Sequence, residues 1–138
     1  MIIIDTGFWL ALFNKKDESH QKAKQLFQQF KKEELITTWP VVTETCYLLQ
    51  KRVGVDTPKS LIHKIGSGKL SIFQLEPIHC YRIEELMIKY QDLPMDLADA
   101  SLVILAEELG EGRILSVDQR DFNTYRWKNT KPFQNLFQ

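Results

Sequence analysis

Cysteine is scarce in this 138-residue chain. Cys46 and Cys80 lie far apart and in no Cys-x-x-Cys pattern. A disulfide framework or a cysteine zinc site is therefore not expected, and both residues read as buried free thiols. Histidine is scarce too: His20, His63 and His79 show no metalloprotease spacing and read as structural or surface residues. No glycine-rich loop could cradle a phosphate, and Gly66-Ser67-Gly68 is more simply a turn. Long apolar runs are missing as well. The longest near-apolar stretch, Leu97 to Ala106, contains Asp99 and Ser101, so no membrane span is expected. Met1 to Asp5 has no basic flank and no cleavage site, which argues against a signal peptide and for a cytoplasmic protein. Net charge is zero, which excludes a polycation that binds nucleic acid indiscriminately.

What is present is globular in composition, with 43% hydrophobic and 26% charged residues. The length suits one domain, residues 1–138. Charge is unevenly spread. Residues 1–69 carry 11 Lys+Arg and 7 Asp+Glu; residues 70–138 carry 7 and 11. Such halves suit an enzyme that holds phosphates beside a carboxylate site, and equally suit solvated helix faces.

Ile2 to Ile4 is a short β-branched run that predicts a buried strand, broken by Asp5-Thr6-Gly7. A short helix over Phe8–Phe13 follows. Ala23, Leu26, Phe27 and Phe30 recur at helical spacing and predict an amphipathic helix over about residues 18–32. A strand is expected at Leu35–Thr38, then a helix opened by Pro40 that runs to Arg52 and ends near Gly54. Thr57-Pro58 opens another helix, closed at Gly66. A strand at Leu70–Leu75, a helix from Pro77 to about Tyr90 and a buried helix from Asp96 to Leu109 come next. Arg113–Val117 predicts a buried strand and Phe122–Trp127 a last one, with Phe133 and Phe137 docking the tail. Strands alternate with helices, which predicts a three-layer α/β/α domain with a mostly parallel central sheet.

Asp5 directly follows the first strand, and Asp118 follows the strand Arg113–Val117. Ligands of parallel sheets bind beyond the carboxyl ends of the strands. Two carboxylates there suit a hard divalent cation, which prefers oxygen ligands. Each also has a plain structural role open to it: Asp5 as the cap of the next helix, Asp118 as the cap of a turn before Asp121. Glu44 stands among Val41, Val42, Cys46 and Leu48 in the first half of its helix. A carboxylate near apolar neighbours is costly unless paired, although glutamate near a helix start is ordinary. Asp96 and Asp99, three apart, fit a capping pair, yet Asp99 also opens a buried helix.

Taken together, Asp5-Thr6, Asp17-x-x-His20-x-x-Ala23, Thr43-Glu44, Leu97-Ala98-Asp99-Ala100 and Leu115-Ser116-Val117-Asp118 with Phe122 resemble the successive signatures of the PIN-domain family. The resemblance spans nearly the whole chain, and its layout is similar to the VapC-like toxin branch. It implies a PIN-like fold and a metal-dependent endoribonuclease acting on single-stranded RNA with Mg²⁺ or Mn²⁺. It further implies Asp5, Glu44 and Asp99 as ligands of the principal metal, with Asp118 as a fourth acid beside Asp5. Thr6, Asp96 and Ser116 are expected as supporting residues. Ser116 stands where the family usually has threonine, and the hydroxyl is kept. A homodimer and a small protein antitoxin that covers the site are also implied. Among the cations, Arg120 is the best candidate for an RNA phosphate, ahead of Lys15, Lys16, Lys51, Arg52 and Arg126. Trp9, Trp39 and Trp127 are assigned to full or partial core packing rather than base stacking. Three rival readings remain: a catalytically silent PIN-like binding module, a metal-dependent DNA nuclease of the flap-cutting kind, and a phospho-acceptor domain. The retained acids, the short chain and the absence of suitable lysine and hydroxyl partners argue against them in turn.

Overall fold

The computed structural model describes residues Met1 to Gln138. Five strands form the central sheet: β1 (Ile2–Ile4), β2 (Leu35–Thr38), β3 (Leu70–Phe73), β4 (Arg113–Leu115) and β7 (Gln134–Asn135). Their order is β3-β2-β1-β4-β7, and every neighbouring pair is parallel. Helices flank the sheet, as the alternating pattern predicts: α1 (Thr6–Phe13), α2 (His20–Gln29), α3 (Trp39–Arg52), α4 (Pro58–Gly66), α5 (Cys80–Lys89), α6 (Leu97–Leu109) and α7 (Gln119–Thr124).

The strand order places β1 at a topological switch point. After β1 the chain builds outward through β2 and β3, then returns to lay β4 on the other side of β1. The crevice between the carboxyl ends of β1 and β4 is where parallel sheets bind ligands. The sequence supports this placement because β1 is wholly apolar and buried on both faces. Ile3 lies in register with Ile36 on one side and Ile114 on the other. Helix α6 backs the same region. Ala98 and all of Ala100 to Ala106 are buried, and Gly110, at φ 69°, ends the helix in the left-handed region.

Several expected boundaries shift. The expected last strand, Phe122–Trp127, is instead helix α7 followed by a two-residue strand, β5 (Arg126–Trp127), paired antiparallel with β6 (Lys131–Pro132). Phe122 and Tyr125, three apart, are both fully buried, and Asp118 caps the turn that brings them to one side. The outer strand is the tail segment β7, clamped by a side chain. Asn135 Nδ2 donates to the Ser116 carbonyl at 2.9 Å, and the Ser116 N–H donates to Asn135 Oδ1 at 3.2 Å. That clamp stops β4 at Leu115 rather than Val117. Helix α2 is shorter than expected, β3 stops at Phe73, and a 3₁₀ turn at Pro77–His79 precedes α5. Phe133 and Phe137 dock in the core as expected; both cysteines are free, but contrary to expectation Cys80 is exposed at the start of α5 and Cys46 only half-buried. Trp9 and Trp127 are buried, whereas Trp39 is 43% exposed.

Candidate active site

Asp5 sits at the carboxyl end of β1 and caps α1. Its Oδ1 accepts from the Thr6 N–H at 2.7 Å, and its Oδ2 accepts from the Ser116 hydroxyl at 2.9 Å. The Thr37 hydroxyl donates to the Ile4 carbonyl at 2.8 Å and so ties the end of β2 to the end of β1. Thr38 and Ser101 share a buried hydroxyl contact of 2.6 Å that ties β2 to α6. The close approach of α1 depends on Gly7, where a Cβ would overlap the Val117 side chain.

Asp118 stands across the crevice after β4. Its N–H donates to Ser116 Oγ at 3.1 Å, so one serine orients both aspartates. Its Oδ1 accepts from the Asp121 N–H at 3.1 Å and caps α7. Glu44 projects from α3, half-buried. Asp99 lies in the first turn of α6, where it and Asp96 form a reciprocal capping box. Asp96 Oδ1 accepts from the Asp99 N–H at 2.8 Å, and Asp99 Oδ2 accepts from the Asp96 N–H at 3.4 Å. The plain capping roles therefore hold for Asp5, Asp118, Asp96 and Asp99, alongside any other use.

The carboxylates influence one another electrostatically. Burial pushes the Asp5 carboxyl up to about 6. The Ser116 and Thr6 hydrogen bonds oppose this, while the negative charges of Glu44 and Asp118 add to it. Asp99 is pushed up to about 8, by burial first, then by Asp96 and then by Asp5. The charges of Glu44 and Asp118 thus bear on Asp5, and that of Asp5 on Asp99, which makes Asp5 the electrostatic centre of the four. Asp96 is exposed at its edge and committed to the cap. No lysine, arginine or histidine pairs with any of the four. Arg120, 78% exposed, contacts Asp121 at 3.4 Å. His20 bonds the Ala11 carbonyl, and His79 holds the Glu76 N–H and contacts Glu108, both structural uses.

Two participants near this centre escape sequence reasoning. Asp121 is buried and its carboxyl is raised to about 6, by burial and then by Asp118. Its position one turn beyond Asp118 was the available signal. The Tyr125 hydroxyl is buried without a hydrogen-bond partner, and its ionisation is driven upward by burial and by Asp99, Asp121, Asp118 and Asp96. No sequence pattern marks it.

The donor set fits a hard divalent cation. All donors are oxygens, and Asp5 keeps free lone pairs beyond its two accepted bonds. The Thr6 hydroxyl, buried beside Asp5, is also unpartnered. No three of these side chains close into a ready-made cage. Mg²⁺ does not require one, because it keeps several waters and binds through one or two carboxylates.

An acid-lined crevice at the switch point of a parallel sheet suits metal-assisted chemistry on a phosphate. The PIN domain family model matches residues 2–128, and the chain belongs to that family. The chain is 29% identical over 125 residues to Ribonuclease VapC26 of Mycobacterium tuberculosis, covering 91% of this chain and 92% of that protein. Its fold is similar to the crystal structure of Mycobacterium tuberculosis VapC20, described as a Sarcin-Ricin loop cleaving toxin. The TM-score is 0.80 at 22% identity, over 87% of this chain and 92% of that one. PIN-family ribonucleases generally depend on divalent metals. No helix is long and apolar enough to cross a membrane.

Proposed function

We propose that the chain is a Mg²⁺- or Mn²⁺-dependent endoribonuclease, the toxin of a toxin–antitoxin pair, with residues 1–138 forming one nuclease domain. One observation carries the reading: the charges of Glu44 and Asp118 bear on the buried Asp5, and that of Asp5 on Asp99, and none of the four pairs with a protein cation. Asp5, Glu44 and Asp99 would hold the principal cation, with Asp118 beside Asp5. When bound, a divalent cation lowers the pKa of a water and neutralises charge on the phosphate. Ser116 and Thr6 orient Asp5, and Ser116 also positions Asp118 through its N–H. Water adds to phosphorus in line and gives its proton to the carboxylate cluster. The bond to the 3′ oxygen breaks, and that oxygen takes up a proton from solvent, leaving 5′-phosphate and 3′-hydroxyl ends. Arg120, exposed at the rim, contacts a substrate phosphate.

The substrate is single-stranded RNA in the cytoplasm. The protein acts as a homodimer, and a small antitoxin restrains it by covering the site. Light scattering at micromolar concentration should report a dimer, and a monomer throughout would remove that assignment. Cleavage of a pooled cellular RNA should require Mg²⁺ or Mn²⁺ and stop with EDTA. Full cleavage in EDTA would sink the metal-nuclease reading. Metal and RNA binding without any cleavage would instead favour a silent PIN-like module.

A further inference from the structure

A groove of about 660 Å³ opens beside the acid cluster, within the size range of small-ligand sites. Its walls include Trp39, Pro40, Tyr47 and Leu97, with Glu44 and Asp96 at the same surface. Trp39, Tyr47 and Leu97 are 43%, 60% and 49% exposed. Three large apolar side chains left in water around one groove mark a binding surface. The charged groups that line it are both carboxylates, so a phosphate is repelled while a neutral planar ring is accommodated. Glu44 lines the groove, and Asp96 in its wall is hydrogen-bonded to Asp99, so the groove borders the acid cluster. Along α3, Thr43, Tyr47 and Lys51 follow at one-turn spacing and lead away from the acids. The Lys51 ammonium lies 5.7 Å from the centre of the Tyr47 ring and supplies a cation at that far end.

We propose that this groove takes an unpaired nucleobase of the RNA next to the scissile phosphate, stacked against the Trp39 and Tyr47 rings, with the following phosphate near Lys51. The proposal rests on the ribonuclease reading above. Stacking explains why aromatic rather than cationic side chains line the groove, and it tolerates any base because every base has a π-face.

The test uses the full chain carrying Asp5→Asn, so that RNA is not cut, and a short single-stranded RNA containing 2-aminopurine. Binding should quench the 2-aminopurine. Adding Trp39→Ala should weaken binding roughly five- to hundredfold, the loss of one stacked base. Trp39→Phe should recover most of it. RNA with abasic sites should bind equally well with or without Trp39. In cleavage-competent protein, Trp39→Ala should raise KM and leave kcat near wild type. Unchanged affinity in Trp39→Ala overturns the proposal, as does an equal loss on intact and abasic RNA. So does a Trp39→Ala protein that loses its dimer or its grip on an apolar peptide while RNA binding stays intact. Quenching by a protein that never cleaves would keep the groove and remove the nuclease. Metal-dependent cleavage indifferent to Trp39 would do the opposite.

Discussion

The two ends of the sheet treat the same kinds of charge in opposite ways. At the amino ends of the strands, Glu33 precedes β2, Glu111 precedes β4, and Arg113 opens β4. Arg113 bonds Glu33 at 3.0 Å and also pairs with Glu111, which contacts the N-terminal amine at 3.6 Å. Both glutamates are held below the ordinary carboxylate range, chiefly by the Arg113 hydrogen bonds. At the carboxyl ends, Asp5 is raised by burial and by Glu44 and Asp118, and Asp99 by burial, Asp96 and Asp5. One edge has its counter-charge built in. The other holds like charges together with none, an arrangement that a bound cation relieves. Carboxylates are therefore informative here by their missing partners rather than by their number.

The largest effect should come from removing the central acid of the unpaired edge. Asp5→Asn is expected to lower cleavage by at least two orders of magnitude in single-turnover assays with saturating Mg²⁺. Near-wild-type activity would show that the crevice is not the reaction centre.

The unpaired edge should also give the metal-free protein an inverted pH dependence. Well below pH 3.8 Asp5 is protonated whether the chain is folded or not, and its burial adds no ionisation cost. As pH rises from 3.8 towards about 6, the unfolded chain releases the proton while the folded chain keeps it. Stability therefore falls with rising pH, by about 2 to 3 kcal/mol for Asp5. Asp99 extends the decline towards pH 8. Denaturant titrations in EDTA at pH 4 and pH 8 should show most of this loss, and saturating Mg²⁺ should remove most of it. A metal-free protein more stable at pH 8 would contradict the assignment.

Asp99 and Asp96 separate a cation role from a capping role within one turn of helix. Asp99→Asn should leave the metal-free protein at least as stable, because one repelling charge goes. It should also lose the Mg²⁺ stabilisation, which reaches about 2.7 kcal/mol in wild type at a hundredfold excess over Kd. Asp96→Asn retains a residue suited to the cap and should change metal-free stability by less than about 1 kcal/mol, with the Mg²⁺ response intact. Thermal melts across a Mg²⁺ titration distinguish the two, and the reverse pattern would move the ligand to Asp96.

The smallest effect belongs to the paired edge. Arg113→Met should lower Tm modestly, because partly exposed ion pairs contribute little, and should leave cleavage and the Mg²⁺ response unchanged. A large loss of activity would mean that the two edges are coupled.

Much of this was decided by local sequence. Ile2–Ile4 can only be a buried strand in a chain of this composition, and Asp5 must then stand at its end. The near-continuous apolar stretch after Asp99 dictates a buried helix, and the Asp96–Asp99 spacing dictates its cap. These features depend on residues one to four apart, the range over which propensity, periodicity and capping act. Only the tertiary structure could decide that β4 pairs with β1, bringing Asp118 beside Asp5 across more than a hundred residues. The same holds for Asn135 in β7, which clamps Ser116, and for Tyr125, which α7 buries close to the acids. Trp39 shows the limit most plainly. Its sequence context places it at the start of a helix, but its exposure depends on what α6 leaves uncovered, and that is set by packing between elements rather than within one.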